Sequence, residues 1–179
     1  MMFRLAVRTM TLILAVSLSG CAGNGKRIDM DMQAAADHAD EIMDATLSSI
    51  EPAIQWAHGP TTTGSCDVTR RRSVMTIVSD ERRGSFLGVV ERDWKERGYR
   101  IKGINNDQYS PAIYAQTSGG FGVSLIFGSG QAFFEVDSPC VEESEVAEST
   151  TPPNGPAYEG VYPLPRPNVH SDFWSAGAS

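Results

Sequence analysis

Two groups of residues carry types and spacings that can do chemistry: an arginine cluster and the cysteines. Arg70-Arg71-Arg72 is followed ten residues later by Arg82-Arg83, in a chain whose formal charge is −7. Guanidinium forks bind phosphate and carboxylate bidentately, so five arginines on one edge form a possible anion or partner patch. The competing reading is a solvated edge paired with Glu81, Glu91 or the acidic C-terminal stretch, because positive charge at a helix N-terminus opposes the dipole. Other chemistry is thin. His38, His58 and His170 fall on a helix, a loop and the C-terminal stretch, without the convergent partners that a general base or a metal site needs. Ser85 and Ser124 both lack the glycine two residues later that a G-x-S-x-G elbow requires. The glycines at 119, 120, 122, 128 and 130 match no phosphate-binding loop and separate strand-like segments instead. No catalytic residue, metal site or cofactor is expected.

Of the three cysteines, Cys21 stands apart. Arg4 and Arg8 head an apolar run from Met10 to Val16, and Leu18-Ser19-Gly20 leads into Cys21. That order is a secretory signal peptide over 1–20, its apolar run shorter than the ~20 residues a bilayer-spanning helix needs. Leu18-Ser19-Gly20-Cys21 resembles the bacterial lipobox, in which the cysteine thiolate takes a diacylglycerol and the chain is cut before it. The expectation is a mature protein anchored by lipid on Cys21 to the outer face of the cell membrane, with 21–28 as a tether. An ordinary secretory signal with a chance cysteine is the competing reading. Cys66 and Cys140 remain as a pair in an oxidising compartment, expected as a disulfide, with two buried free thiols as the alternative.

Loss of residues 1–20 removes Arg4 and Arg8 and no acid, so the 15 basic residues fall to 13 against 22 acidic ones, a formal charge of −9. Such a surface repels polyanions, and no nucleic-acid partner is expected.

The elements that must position these residues follow from periodicity. Asp29 or Asp31 caps a helix to about Ser49, with Ala35, Ala39, Ile42, Thr46 and Ile50 inward and Asp37, Asp40, Glu41 and Asp44 outward. Pro52, Gly59 and Pro60 predict a loop holding Trp56, and Val74 to Val78 a strand apolar on both faces. Asp80 caps a second helix, whose stripe is Phe86, Leu87, Val90 and Trp94 and whose stop is Gly98. Tyr99 to Ile104, Ala112 to Thr117, Val123 to Phe127 and Ala132 to Val136 predict four strands, the last three joined by glycine turns as an antiparallel meander. The fold class is therefore α+β, with helices on one face of the sheet, in a single domain over 29–140. Residues 141–179 read as an acidic, proline-rich tail without a core of its own, although Phe173 and Trp174 leave docking of its end open.

Three stretches carry a family resemblance: Ser65-Cys66-Asp67-Val68-Thr69-Arg70-Arg71-Arg72, Val74-Met75-Thr76-Ile77-Val78-Ser79 and Arg82-Arg83-Gly84-Ser85-Phe86-Leu87-Gly88. With Asp93-Trp94-Lys95, Cys140-Val141-Glu142 and Ser171-Asp172-Phe173-Trp174-Ser175, they resemble an uncharacterised family of small actinobacterial lipoproteins. The resemblance implies the lipid anchor and the domain outline, and it brings no catalytic residues. Three functions stand as expectations: a non-catalytic binding or regulatory module meeting an envelope protein or an anionic wall polymer, a carrier of an apolar or lipid ligand, and a hydrolase with a dispersed site.

Overall fold

The structure is a computed structural model and describes residues 29–157 and 164–178. The predicted signal peptide over 1–20, Cys21 and the predicted tether lie outside the described residues.

Helix α1 (Met32–Ser48) starts at Asp31, whose carboxylate accepts the amide of Ala34 and so satisfies one of the free first-turn donors. Its buried stripe holds the predicted Ala35, Ala39, Ile42 and Thr46, and it also holds Asp40, which periodicity had placed in solvent. Helix α2 (Asp80–Glu96) buries Phe86, Leu87, Val90 and Trp94 as expected. Its N-cap is Ser79, one residue ahead of the predicted Asp80. Gly98, at φ +77°, ends it in the left-handed conformation that favours glycine.

The strands are β1 (Trp56–His58), β2 (Thr62–Thr63), β3 (Val68–Val74), β4 (Arg100–Asn105), β5 (Ala112–Gln116), β6 (Gly122–Gly128) and β7 (Gln131–Asp137). They form one sheet in the order β1-β3-β7-β6-β5-β4, with β2 also on β3 and every pairing antiparallel. The predicted meander is present, with β4 added to it. Ser129 and Gly130, both at positive φ, make the tight β6–β7 turn.

Two expectations are corrected. The 52–65 stretch is not simply a loop, since it contributes β1 and β2. The first central strand is Val68–Val74 and not 74–78. Alternation turns Val68, Arg70, Arg72 and Val74 to the helix side, a face that sequence pattern rejects because two of its four residues are charged. The apolar run Met75–Val78 owes its burial to a different neighbour. The amides of Met75 and Thr76 donate to Gln55 O, and that of Ile77 donates to Val169 O in the C-terminal segment.

Both helices cover one sheet face. On that face Phe86 meets Phe127 edge-on at 5.9 Å between centroids and Trp174 at 5.1 Å. Trp94 is buried between the helices, donating its indole N–H to Thr46 Oγ1 at 3.1 Å.

The fold also runs past residue 140. Cys66 and Cys140 form the expected disulfide, with Cα atoms 4.8 Å apart. From there the chain is a belt. It lies along the start of α1, where Met32 N donates to Glu142 O and Gln33 N to Ser144 Oγ. It then covers β1, with Asn154 Oδ1 accepting from Trp56 N and Gly155 N donating to Trp56 O. It ends beside Met75–Ser79, with Trp174 fully buried and its indole donating to Pro52 O at 2.6 Å. The docking that the sequence left open takes place: the stretch is poor in apolar residues and has no core of its own, but its Val141 and Trp174 are completely buried in the core of the domain.

The belt screens the β1 edge, while β4 ends the sheet on the other side. That edge is blunted by a bulge between Ile101 and Gly103 and by Arg100 and Lys102, features that discourage strand addition. Replacing Trp174 by Ala should lower the unfolding free energy by about 3–5 kcal/mol in urea titration. A loss below about 1 kcal/mol would mean the belt end is only loosely held.

Candidate functional site

The five arginines do not share an exposed edge. Arg70 and Arg72 are 2% and 0% exposed, on the helix-facing side of β3. Above them Asp40 and Asp44 stand one turn apart on α1. Arg70 Nε lies 3.3 Å from Asp40 Oδ2, a charge contact rather than an aligned hydrogen bond. Its terminal nitrogens donate to Thr61 Oγ1 at 2.6 Å and Ala147 O at 2.7 Å. Arg72 pairs with Asp44 and, at 3.3 Å, with Asp40, and its guanidinium lies 4.0 Å over the Trp56 ring. Thr151 Oγ1 then donates to Asp44 Oδ2 at 3.1 Å. Two cations and two anions are therefore bound to each other by groups from α1, β3, the β1–β2 connection and the belt. Such a set is occupied with structure and is closed to an outside anion.

Arg71 points to the other sheet face and forks onto Glu135 Oε1 at 2.6 and 2.7 Å. Arg82 stacks over the Phe173 ring, 4.3 Å from its centroid. Arg83 is 8% exposed, pairs with Asp80, and makes a long 3.5 Å contact to Tyr109 O, leaving its Nε without an acceptor.

The histidines stay apart. His38 Nδ1 lies 3.0 Å from Glu41, His58 Nε2 donates to Thr151 O at 2.8 Å, and His170 is exposed in the belt. Ser85 is exposed on α2, and Ser124 is buried in β6. Among the described residues no three His, Cys, Asp or Glu side chains are grouped to hold a metal ion. Charge shifts concern the far end of α2. The hydrogen bond with Asp93 raises the pKa of Arg97, and burial raises that of Tyr99 against the opposing pull of Arg97.

Open grooves on the surface remain as places for a ligand. One of about 340 Å³ runs between α1 and the belt, lined by Asp37, Glu41, Asp44 and Glu148. A second, about 360 Å³, lies between α2 and the 105–111 loop, beside Leu87 and Ile104. A third, about 290 Å³, sits at the start of α2 and is lined by Ser79, Asp80, Glu81, Arg83, Gly130 and Gly177. Here the structure brings together groups that the sequence reading had separated. Ser79 is 5% exposed, yet its hydroxyl does not cap the helix and has no partner among the described residues. Its signal in the sequence is Ser79-Asp80-Glu81, a cap residue followed by two first-turn acids, in which Asp80 competes for the cap position.

These features define the class: a disulfide-closed α+β protein with two helices on one face of an antiparallel sheet and a C-terminal belt around it. No protein-family model matches the chain, and no curated protein matches it. Among solved structures it is similar to the crystal structure of a DUF4853 family protein from Actinomyces odontolyticus, at 14% identity over 72% of this chain and 74% of that one, with a TM-score of 0.35. A likeness at that score carries no argument about fold or role.

Truncating one partner of a buried ion pair leaves the other charge unpaired and costs about 3–5 kcal/mol. Asp40→Ala should therefore destabilise the protein by that much in equilibrium unfolding, and Asp40→Ala with Arg72→Met should recover part of the loss. A single-variant cost under about 1 kcal/mol would mean that the network contributes little to folding.

Proposed function

We propose that the protein is a lipid-anchored, extracytoplasmic module of the cell envelope, non-catalytic, acting on a partner through its surface. The observation that carries the anchoring is how the cysteines divide. Cys66 and Cys140 are joined in the structure, which leaves Cys21 as the unpaired thiol, placed after Leu18-Ser19-Gly20 at the end of a signal-peptide pattern. At ~0.8 kcal/mol per buried methylene, two acyl chains hold a protein stably to a membrane where one does not. The family of small actinobacterial lipoproteins that the sequence resembles agrees with this reading.

Action at the surface is supported by how the interior is used. The space between sheet and helices is filled by Phe86, Phe127, Phe134, Trp94 and Trp174, all 2% exposed or less, while the grooves described above are open and polar-rimmed. That packing favours a surface-acting module over a carrier with an internal apolar pocket. Confinement near the bilayer raises the effective concentration of an envelope partner, so weak contacts suffice. The anionic-polymer partner loses its main support, since Arg70 and Arg72 are internally neutralised.

The test is intact mass and fractionation. Wild type extracted from membranes should carry a lipid-sized increment and one disulfide, and Cys21→Ser should lose both the increment and the membrane association. Wild type recovered unlipidated in the soluble secreted fraction would overturn the reading. Reducing the Cys66–Cys140 bond should destabilise the fold by about 4 kcal/mol on the chain-entropy model for a loop of this length, read as a lower urea midpoint.

A further inference from the structure

We infer that Asn154-Gly155 is a site of spontaneous covalent modification, guarded while the belt lies on β1, and that its reaction unlatches the belt there. β1 is the outermost strand on its side of the sheet. The belt takes both backbone groups of Trp56 with two consecutive residues. Asn154 Oδ1 accepts from Trp56 N at 2.9 Å, and Gly155 N donates to Trp56 O at 2.9 Å. Asn154 Nδ2 donates in turn to Ile54 O at 3.1 Å. The latch is thus one side-chain amide and the peptide nitrogen that follows it.

Those two groups can react with each other. Once its proton passes to solvent base, the Gly155 nitrogen attacks Asn154 Cγ and closes a succinimide ring. The new N–Cγ bond replaces the Cγ–Nδ2 bond, and Nδ2 leaves as ammonia with a proton from water. Water then opens either imide carbonyl, giving aspartate or isoaspartate. One water is taken up in all and one ammonia released, with no oxidant or cofactor. Glycine at 155 offers no side chain to obstruct the ring closure, and Asn154 is exposed to the water that the reaction needs.

Docking blocks the step. The Gly155 N–H is engaged with Trp56 O, so the nitrogen is free neither to lose its proton nor to turn towards Cγ. The two bonds on the Asn154 amide fix its plane against β1. The fit leaves no slack for a partial approach, since Trp56 O lies 2.7 Å from where a Cβ on Gly155 would stand. Reaction therefore passes through states in which this part of the belt has opened, and its rate follows their population.

The product does not fit the latch. Aspartate has lost the Nδ2 donor and sets a carboxylate oxygen against Ile54 O, an acceptor facing an acceptor. Isoaspartate carries the main chain through Cβ and Cγ, one atom longer, which displaces Gly155 from its close approach to Trp56 O. Either product loosens the cover on Trp56 and opens a sheet edge. The belt is also held just upstream, where Thr151 O accepts from His58 Nε2 at 2.8 Å and Thr151 Oγ1 donates to Asp44 Oδ2, so the release is local. This goes beyond the surface role proposed above and does not depend on the lipid anchor.

The test follows conversion of Asn154 by peptide mapping and mass spectrometry, which separates it from the other Asn-Gly pair, Asn24-Gly25. Full-length protein in detergent micelles is incubated at mildly alkaline pH, either folded or unfolded in urea. Conversion in the folded protein should be at least about tenfold slower than in urea. His58→Ala, which removes a hold on the belt at Thr151, should speed the folded-state conversion by about threefold or more and leave the rate in urea unchanged. Asn154→Asp carries the product side chain from the start. In it, hydrogen exchange at Trp56 and Gly155 should rise about tenfold, with exchange at Leu125 in β6 unchanged. A smaller gap between the folded and unfolded rates, a folded-state rate that ignores His58→Ala, or unaltered exchange at Trp56 and Gly155 in Asn154→Asp would overturn the inference.

Discussion

Asp40 and Asp44 on one helix, set against Arg70 and Arg72 on one strand, form the contact on which the architecture depends. Arg70, Arg72 and Asp40 are withdrawn from water while Asp44 keeps partial access to it, and the buried charges must be neutralised with good geometry, since the desolvation cost of each buried ion amounts to several kcal/mol. That requirement sets the rotation of α1, because only Asp40 and Asp44 facing the sheet satisfy the two guanidinium groups. It also sets the face of β3, because a register shift of one residue would send Arg71 inward in place of its neighbours. The remaining guanidinium donors then recruit Thr61 and Ala147, which draws the β1–β2 connection and the belt onto the same cluster.

The belt follows from that arrangement. A sheet whose outermost strand is only three residues long presents a weak edge, and the chain after Cys140 covers it with Asn154 and Gly155 before returning to place Trp174 against Phe86. The disulfide stands where the belt departs, so it ties the beginning of β3 to the beginning of the wrap. The opposite edge needs no cover, because charged side chains and a bulge at β4 limit pairing there. The result is a small protein whose sheet edges are both managed and whose interior is filled.

The two ends of α2 are finished differently. At its C-terminus Gly98 turns the chain, and Arg97, held charged by Asp93, donates to Ala45 O on α1. At its N-terminus Ser79 is held by its backbone, its amide donating to Trp174 O and its carbonyl accepting from Arg82 and Arg83, while its side chain makes no cap bond.

What the sequence determined by itself was whatever depends on local periodicity or on local chemistry. The apolar stripes of α1 and α2, the glycine stop at Gly98, the meander from β5 to β7 and the pairing of Cys66 with Cys140 could all be read, because each is a relation among residues close in the chain or a matter of counting. The resemblance of Leu18-Ser19-Gly20-Cys21 to a lipobox belongs to the same kind, a short pattern read without any fold. What the tertiary structure alone decided were relations between distant segments. The burial of Arg70 and Arg72 cannot be inferred from a run of arginines, since a charge is buried only when a partner some thirty residues away arrives to neutralise it. For the same reason the true central strand was taken for its polar approach, and Met75–Val78 was taken for the strand. Trp174 hinted that the tail docks, but its slot exists only once α2, Pro52 and the sheet have come together. The unmatched hydroxyl of Ser79 is likewise invisible in sequence, because an unsatisfied hydrogen bond is a property of the finished packing and not of any residue in it.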